Sequence, residues 1–369
     1  MKISYAKLGV VLFILIGFVM AGCGSDSDSL SAVHADAAAN GNAQVRVGCM
    51  LFPLADFQMD GGGLFENMVY PYISDYQAVG AGDHMFRAIA AGDADGPEAS
   101  LDVTLEADHR YLIVSYGNIA TQSDHALLLV DETEAVAGLT EEGGSLLFLH
   151  LLNGAPGLDG YVNGEQQVEN LTYGTAAFLE IPIREFQVAI TPAGMQDMVL
   201  YEAEYTGLPQ THTVVTMSGS PLNPNLYTSV YTPLDMLSFF NHLADIGEYY
   251  DETRTLLTAS NVIDELAGPG PLTVFAPWDS VYIDPTFRDV PDVRDDPARL
   301  ADAMRYYIVP ENVPPYVLYH RTSLPTLQGT PLQVSDGLWL NGAAHVYQDY
   351  RVSNGVLYEL EGLLTPFGE

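Results

Sequence analysis

Apolar and polar positions alternate in short runs through most of the chain. Val45, Val47 and Cys49 stand between polar or small residues, and so do Leu101, Val103 and Leu105. A period of two predicts β-strands with one buried face. Turn chemistry separates the runs: Asp60-Gly61-Gly62, Gly80-Ala81-Gly82-Asp83, Asn153-Gly154 and Asn163-Gly164. After Ser220-Pro221-Leu222-Asn223-Pro224-Asn225 the texture changes. The prolines predict a linker there. Met236, Leu237, Phe239, Phe240, Leu243 and Ile246 then recur at helical spacing, which predicts a helix over 235–250. Asn261 to Leu266 predicts a second helix, stopped by Gly268-Pro269-Gly270-Pro271.

The first residues obey neither period. Lys2 and Lys7 precede the unbroken apolar run Leu8 to Met20, and small residues come after it. That is the pattern of an export signal, and the run is shorter than the roughly 20 residues a bilayer span needs. Met20-Ala21-Gly22-Cys23 resembles a bacterial lipobox. The resemblance implies lipidation of Cys23, a mature chain starting there, and membrane attachment through N-terminal acyl chains. Gly24 is next, where an Asp would resemble an inner-membrane retention signal. The outer membrane of the cell envelope, with surface exposure, is the expected location. Gly24 to about residue 43 is Ser-, Asp-, Ala- and Gly-rich and reads as a tether.

Charge narrows the function classes. Both lysines precede Cys23, so beyond it 11 Arg stand against 48 Asp and Glu, a formal net charge of −37. Such a chain repels phosphate backbones, which excludes nucleic acid as a partner. It is suited to salty surroundings, to a cation or to a basic partner. Cys49 is left alone in an apolar stretch and reads as a small buried hydrophobe, with no disulfide.

Residues 44 to about 219 read as two copies of one unit. Leu64 to Tyr70 pairs with Gln167 to Tyr173 at an offset of 103. His84 to Gly92 pairs with Arg184 to Gly194, and Arg110 to Ser115 with Thr211 to Thr216. The copies predict two β-sandwich modules, 44–137 and 143–220. The second copy, best in Leu149 to Gly164, resembles the domain of unknown function 4397 family of exported bacterial proteins. The first departs from it at Phe52 to Asp56.

Leu272 to Tyr282, with Thr273, Phe275, Ala276, Pro277, Trp278 and Asp279, and Val352 to Pro366, with Asn354 and Gly355, resemble the two signature segments of the fasciclin domain. Thr326 to Leu332 and Leu340 to Ala343 fit its intervening strands. The resemblance covers 226–369. It implies a β-sandwich/helix domain that makes protein or polysaccharide contacts without catalysis. The fold class expected for the whole is therefore mainly β with a C-terminal α+β domain. Within the signatures, Thr273 to Ala276 predicts a buried strand ended by Pro277. Asp279 is placed to cap the helix or turn just after it, and Asn354-Gly355 predicts a tight hairpin turn. Two positions depart from the family. Tyr307 stands where a His is common, and Trp278 replaces a small polar residue, either as a contact hot spot or as a packing residue.

Chemistry is sparse elsewhere. The chain has no His-Glu-x-x-His, no phosphate-binding glycine loop, no Gly-x-Ser-x-Gly and no metal-spaced Cys pair. No cofactor is implied. Asp93, Asp95 and Glu98 form the best cation candidate, since carboxylates at that spacing beside Gly92 and Gly96 can wrap Ca²⁺; a plain acidic hairpin tip is the competing reading. Asp289 to Asp296 reads as local capping and surface pairing. The function expected is that of a lipid-anchored envelope protein mediating adhesion or matrix interaction. The alternative is a periplasm-facing binding or scaffolding lipoprotein, which a Tyr- and Trp-rich pocket in the last domain would favour.

Overall fold

The computed structural model describes residues 41–93, 96–118, 123–182, 184–246, 250–283, 296–335 and 338–364. The apolar leader and Cys23 lie outside the described residues. No helix among those described is long and apolar enough to cross a membrane.

The chain is mainly β. The alternating front half folds first into β1 (Asn42–Cys49), β2 (Leu54–Met59), β3 (Gly62–Val69), β4 (Gln77–Gly80), β5 (Gly82–Ala90), β6 (Glu98–Leu105), β7 (Arg110–Asn118) and β8 (Ser123–Asp131). They pair as two sheets, β4-β1-β7-β8 and β3-β2-β5-β6. Val45, Val47 and Cys49 from one sheet meet Phe57, Phe86 and Leu105 from the other in one buried cluster. Strand β1 begins at Asn42, and Ala43 is already fully buried, so the end of the stretch read as tether belongs to the first sheet.

After a short helix, α1 (Thr133–Ala137), the same pattern returns. Its strands are β9 (Gly143–Leu152), β10 (Leu158–Val162), β11 (Glu165–Leu171), β12 (Thr175–Pro182), β13 (Arg184–Pro192), β14 (Tyr201–Gly207), β15 (His212–Ser220) and β16 (Asn223–Tyr231). The orders are β12-β9-β15-β16 and β11-β10-β13-β14, the first set with every strand advanced by eight. Each set has one parallel pair, β1 with β7 and β9 with β15. The three repeated sequence segments fall on β3 and β11, β5 and β13, and β7 and β15. The likeness reaches single bonds. The Asp56 carboxylate accepts from the Asn67 amide at 2.8 Å, and Asp159 accepts from Asn170 at 2.7 Å, each residue displaced by 103. Both asparagines have left-handed backbones, φ 54° and 50°, a conformation Asn tolerates better than most residues.

Two sheets stack through their outer faces. Met50 in the turn after β1 and Leu112 and Val114 of β7 pack on Leu147, Leu149 and Val214 of β9 and β15. Hence β9 is buried along both faces from Leu146 onward. Its sequence, Leu146-Leu147-Phe148-Leu149-His150-Leu151-Leu152, loses the alternation for that reason.

The segment 220–225 is not a linker. β15 and β16 form a continuous antiparallel hairpin from His212↔Tyr231 to Ser220↔Asn223, and Pro221-Leu222 is its turn. The second sheet therefore runs past the boundary expected at 220 and past the expected start of the last domain at 226. Pro at a strand's first residues costs no ladder bond when its nitrogen faces away from the partner, so a proline pair marks a hairpin tip as readily as a linker.

The remainder carries the helices: α2 (Met236–Ile246), α3 (Asp251–Ala259), α4 (Asp279–Ile283), α5 (Pro297–Tyr306) and α6 (Pro315–Leu318). The stretch read as one helix to 250 is α2, and α3 is an additional helix. The run expected as a helix over 261–266 is a 3₁₀ turn, Ile263–Ala267. Interleaved strands are β17 (Leu272–Pro277), β18 (Ile308–Val309), β19 (Ser323–Leu324), β20 (Leu332–Ser335), β21 (Trp339–Leu340), β22 (Ala344–Val352) and β23 (Gly355–Glu361). Phe239, Phe240, Phe275, Leu340 and Tyr358 anchor their shared core. β22 also pairs in parallel with β16 through Val230↔Tyr350 and Tyr231↔Arg351, so one sheet runs from β12 into the helical part.

Candidate functional site

The signature residues of the last domain are spent on folding. β17 is buried along its whole length, ending at Pro277. Thr273 Oγ1 donates to the Glu311 carbonyl at 2.7 Å and accepts from the Val313 amide at 2.9 Å, tying β17 to the loop after β18. Phe275 stacks on Tyr358 at 5.3 Å, and Ala276 is fully buried. The Asp279 carboxylate accepts from the amides of Asp251 and Glu252, both at 2.9 Å. It thus caps α3, which precedes it, and not the turn after it. Sequence proximity suggested the wrong helix. Asn354 lies in the β22–β23 turn with its side chain inward. Its Oδ1 accepts from Met236 N at 2.7 Å at the start of α2, and its Nδ2 donates to the Leu266 and Gly268 carbonyls. Gly355 is the first residue of β23, and a Cβ there would sit 1.7 Å from the Leu272 carbonyl oxygen. Tyr307, at the position where the family often has His, is sealed in the core. Its hydroxyl donates to the Leu364 carbonyl and accepts from the Leu364 amide.

Trp278 is half-buried. Its Nε1 donates to Tyr250 Oη at 3.1 Å, and its ring meets Tyr347 edge-to-face at 5.1 Å. Packing is its first role. The more exposed tryptophan is Trp339, at 42%, which leans on His345 at 5.1 Å and 57°. Its two-residue strand is too short to leave a period in the sequence. His345 and Tyr347, the latter 50% exposed, share the outer face of β22 by alternation. On β23, Glu361 pairs directly opposite His345, and Glu359 lies near Tyr347. Glu359 accepts from Tyr350 Oη at 2.7 Å; burial lifts its carboxyl above the usual range although hydrogen bonds oppose the lift. This outer face joins exposed rings and carboxylates in one place.

Two buried polar clusters lock the seams. Arg46 holds Glu132 through Nε at 2.9 Å and Nη2 at 2.5 Å, and Tyr76 Oη donates to the same carboxylate. His212 Nε2 reaches Glu132 at 2.9 Å, and its Nδ1 reaches Ser145 Oγ at 2.7 Å. Ser145, His212 and Glu132 thus form a Ser-His-acid constellation from residues no motif unites. Its geometry is a clamp: Arg46 already neutralises the acid, and the Ser145 amide is bonded to the Thr211 carbonyl, so it offers no oxyanion donor. Burial opposes the Glu132 charge, yet Arg46 and His212 outweigh it and hold the carboxyl down at about 2. At the second seam Arg351 pairs with Asp75 and Asp349 and donates to the Ile73 carbonyl.

The cation candidate is only partly assembled. Glu98 is ion-paired with Arg87 on the neighbouring strand, Asp93 is exposed, and Asp95 lies outside the described residues. No group of three or more metal-ligating side chains occurs among the described residues. Of the acidic run at 289–296, only Asp296 is described; it caps α5 through the Ala298 and Arg299 amides. Cys49 is fully buried, its thiol bonded to the Phe52 carbonyl and pushed up to about 12 by burial. An apolar cavity of about 20 Å³, room for about one water, lies between the sheets of β9–β16 against Phe148, Tyr201 and Tyr205, not in the last domain.

Residues 248–366 match the fasciclin domain family. The chain is 24% identical over 124 residues to an uncharacterized protein of Synechocystis sp., covering 33% of this chain and 93% of that one. It is 34% identical over 113 residues to stabilin-2 of Rattus norvegicus, covering 29% of this chain but only 8% of that protein. Among solved structures, a FAS1 domain pair from the insect cell adhesion molecule fasciclin I aligns with 51% of this chain and 67% of its own, at 15% identity and a TM-score of 0.33.

Proposed function

We propose that this protein is a lipid-anchored envelope protein whose C-terminal fasciclin domain makes adhesive or matrix contacts and performs no chemistry of its own. The observation that carries the proposal is the fasciclin match over residues 248–366, whose signature side chains are committed to internal bonds. In this reading Cys23 carries the acyl chains in the outer membrane, exposed at the surface. β1–β16 are two tandem β-sandwich modules, a reading supported by their common strand order, and their likeness to the domain of unknown function 4397 family belongs to the same proposal. They hold the last domain off the lipid as a block rather than as a flexible stalk. The partner is a protein or a polysaccharide of a facing surface.

The test uses the whole mature chain. Saturable binding to the producing cells or to their extracted surface polysaccharide, with and without Ca²⁺, is the expected result. No binding to either sinks the adhesive reading. Labelling with an alkyne fatty acid, lost in Cys23→Ala, checks the anchor. Surface exposure is read by trypsin on intact cells, because amine reagents find no lysine beyond Cys23.

A further inference from the structure

We propose that the outer face of β22 and β23 binds a basic side chain of a partner protein, seated over the exposed rings of Trp339 and Tyr347 and countered by Glu361. The proposal rests on the adhesive reading and names the contact surface and its chemistry.

Three observations point there. First, the rings stand exposed together: Tyr347 is 50% and Trp339 42% exposed, large values for aromatic side chains in a folded domain. His345 and Tyr347 are two residues apart on one strand, about 7 Å, so the Trp339–His345 and Trp278–Tyr347 pairs are neighbours on one face. Second, the ring planes meet at 57° and 70°. The rings of each pair already touch at 5.1 Å and do not stack, so they make no broad flat platform for a sugar, whereas a cation needs only one open ring face. Third, the face is acidic. Glu361 is exposed and opposite His345, and the 48 acidic residues of the chain draw cations toward any such face. A guanidinium or ammonium group would gain ring contact and a carboxylate at once.

The probe is a fluorescein-labelled nonapeptide of alternating Gly and Arg, titrated with the mature protein at physiological salt. Its counterpart carries citrulline for each Arg, the same shape without charge. Saturable binding of the Arg peptide, at least tenfold tighter than the citrulline peptide, is expected. Trp339→Ala and Tyr347→Ala, which leave the net charge unchanged, should each weaken it roughly fivefold. Leu222→Ser, at the exposed tip of the β15–β16 hairpin and at its far end from β22, should not. Melting curves matching the parent establish that the variants fold, and Tyr347→Phe should retain binding. Equal affinity for the two peptides overturns the proposal, because charge would then play no part, and variants that bind like the parent overturn it, because only the general field of the protein would then be at work. Cellopentaose that outcompetes the peptide and loses affinity in the same variants overturns it in favour of a glycan. The cell-binding assay keeps the two readings apart. Variants that lose peptide but keep cell binding sink this site as the adhesive contact. A parent that binds peptide but no cell surface sinks the adhesive reading and leaves the site.

Discussion

Arg351 on β22 is ion-paired with Asp75 in the loop before β4, 276 residues earlier in the chain. It also holds Asp349 at 2.7 Å, and its side chain is only 6% exposed. The last domain is thus riveted to the first module and not only to its sequence neighbour. Asn312 adds a bond to Asp75 at 2.7 Å, and His320 reaches the Asn67 carbonyl. Arg351→Met should strand Asp349, a buried carboxyl, at a cost of about 3–5 kcal/mol. The double variant with Asp349→Asn should recover a large part of that loss, because the orphaned charge goes with it. Urea unfolding of the two proteins checks both expectations.

The Glu132 clamp gives the first seam an acid limit. The carboxyl ordinarily titrates at 4.5 and is held at about 2 in the fold. A lowered folded value contributes stability above the unfolded value and loses it as pH falls from about 4.5 towards about 2. The loss is on the order of 3 kcal/mol. Glu132→Gln should be less stable at pH 7 and should show a flatter decline through this window. Melting temperature against pH for the two proteins is the measurement.

Glu359 has the opposite sign. Burial raises its folded value, so its contribution is full below the unfolded value and is lost as pH rises through the folded one. Glu359→Gln should therefore melt above the parent at pH 7. The difference should vanish on acidification towards pH 4. A variant that melts below the parent at pH 7 would show that the carboxylate's bonds outweigh its burial.

Asp279 and Asn354 should separate in severity. Asp279→Ala removes a cap shared by two amides and should cost about 1–2 kcal/mol, with the loss of helix confined to α3. Asn354→Ala leaves a buried amide at the start of α2 and two carbonyls without partners, and should cost about 3 kcal/mol or more. Chemical denaturation ranks the two.

Contact range separates the features legible in the sequence from those hidden in it. Alternation placed the strands, and the offset of 103 matched segments that occupy equivalent strands, down to the Asp56–Asn67 and Asp159–Asn170 bonds. Those signals are local or repeated. The fasciclin signatures were legible for the same reason, since β17 and the β22–β23 turn are contiguous words. The hairpin tip at Pro221 was read as a linker because proline chemistry is common to both, and only the pairing of β15 with β16 decides. Asp279 points by sequence to the nearer helix but caps one 28 residues earlier, because a side chain's reach in space is not its reach in sequence. Arg46–Glu132 and Arg351–Asp75 were invisible, being single charges 86 and 276 residues apart with no motif around them. Trp339 stands in a two-residue strand with no pattern around it, whereas Trp278 stands in a signature segment and packs on Tyr250 and Tyr347.

The pairing of β16 with β22 has a mechanical meaning. A tug on the last domain is carried into the second module through a shared sheet and into the first through Arg351, before any core has to open. Extension by swivelling one module on the next would mean tearing a strand pair and dragging paired ions into the open together. Among the described residues, a pull on the last domain would load the β16–β22 pair and the Arg351 ion pairs together.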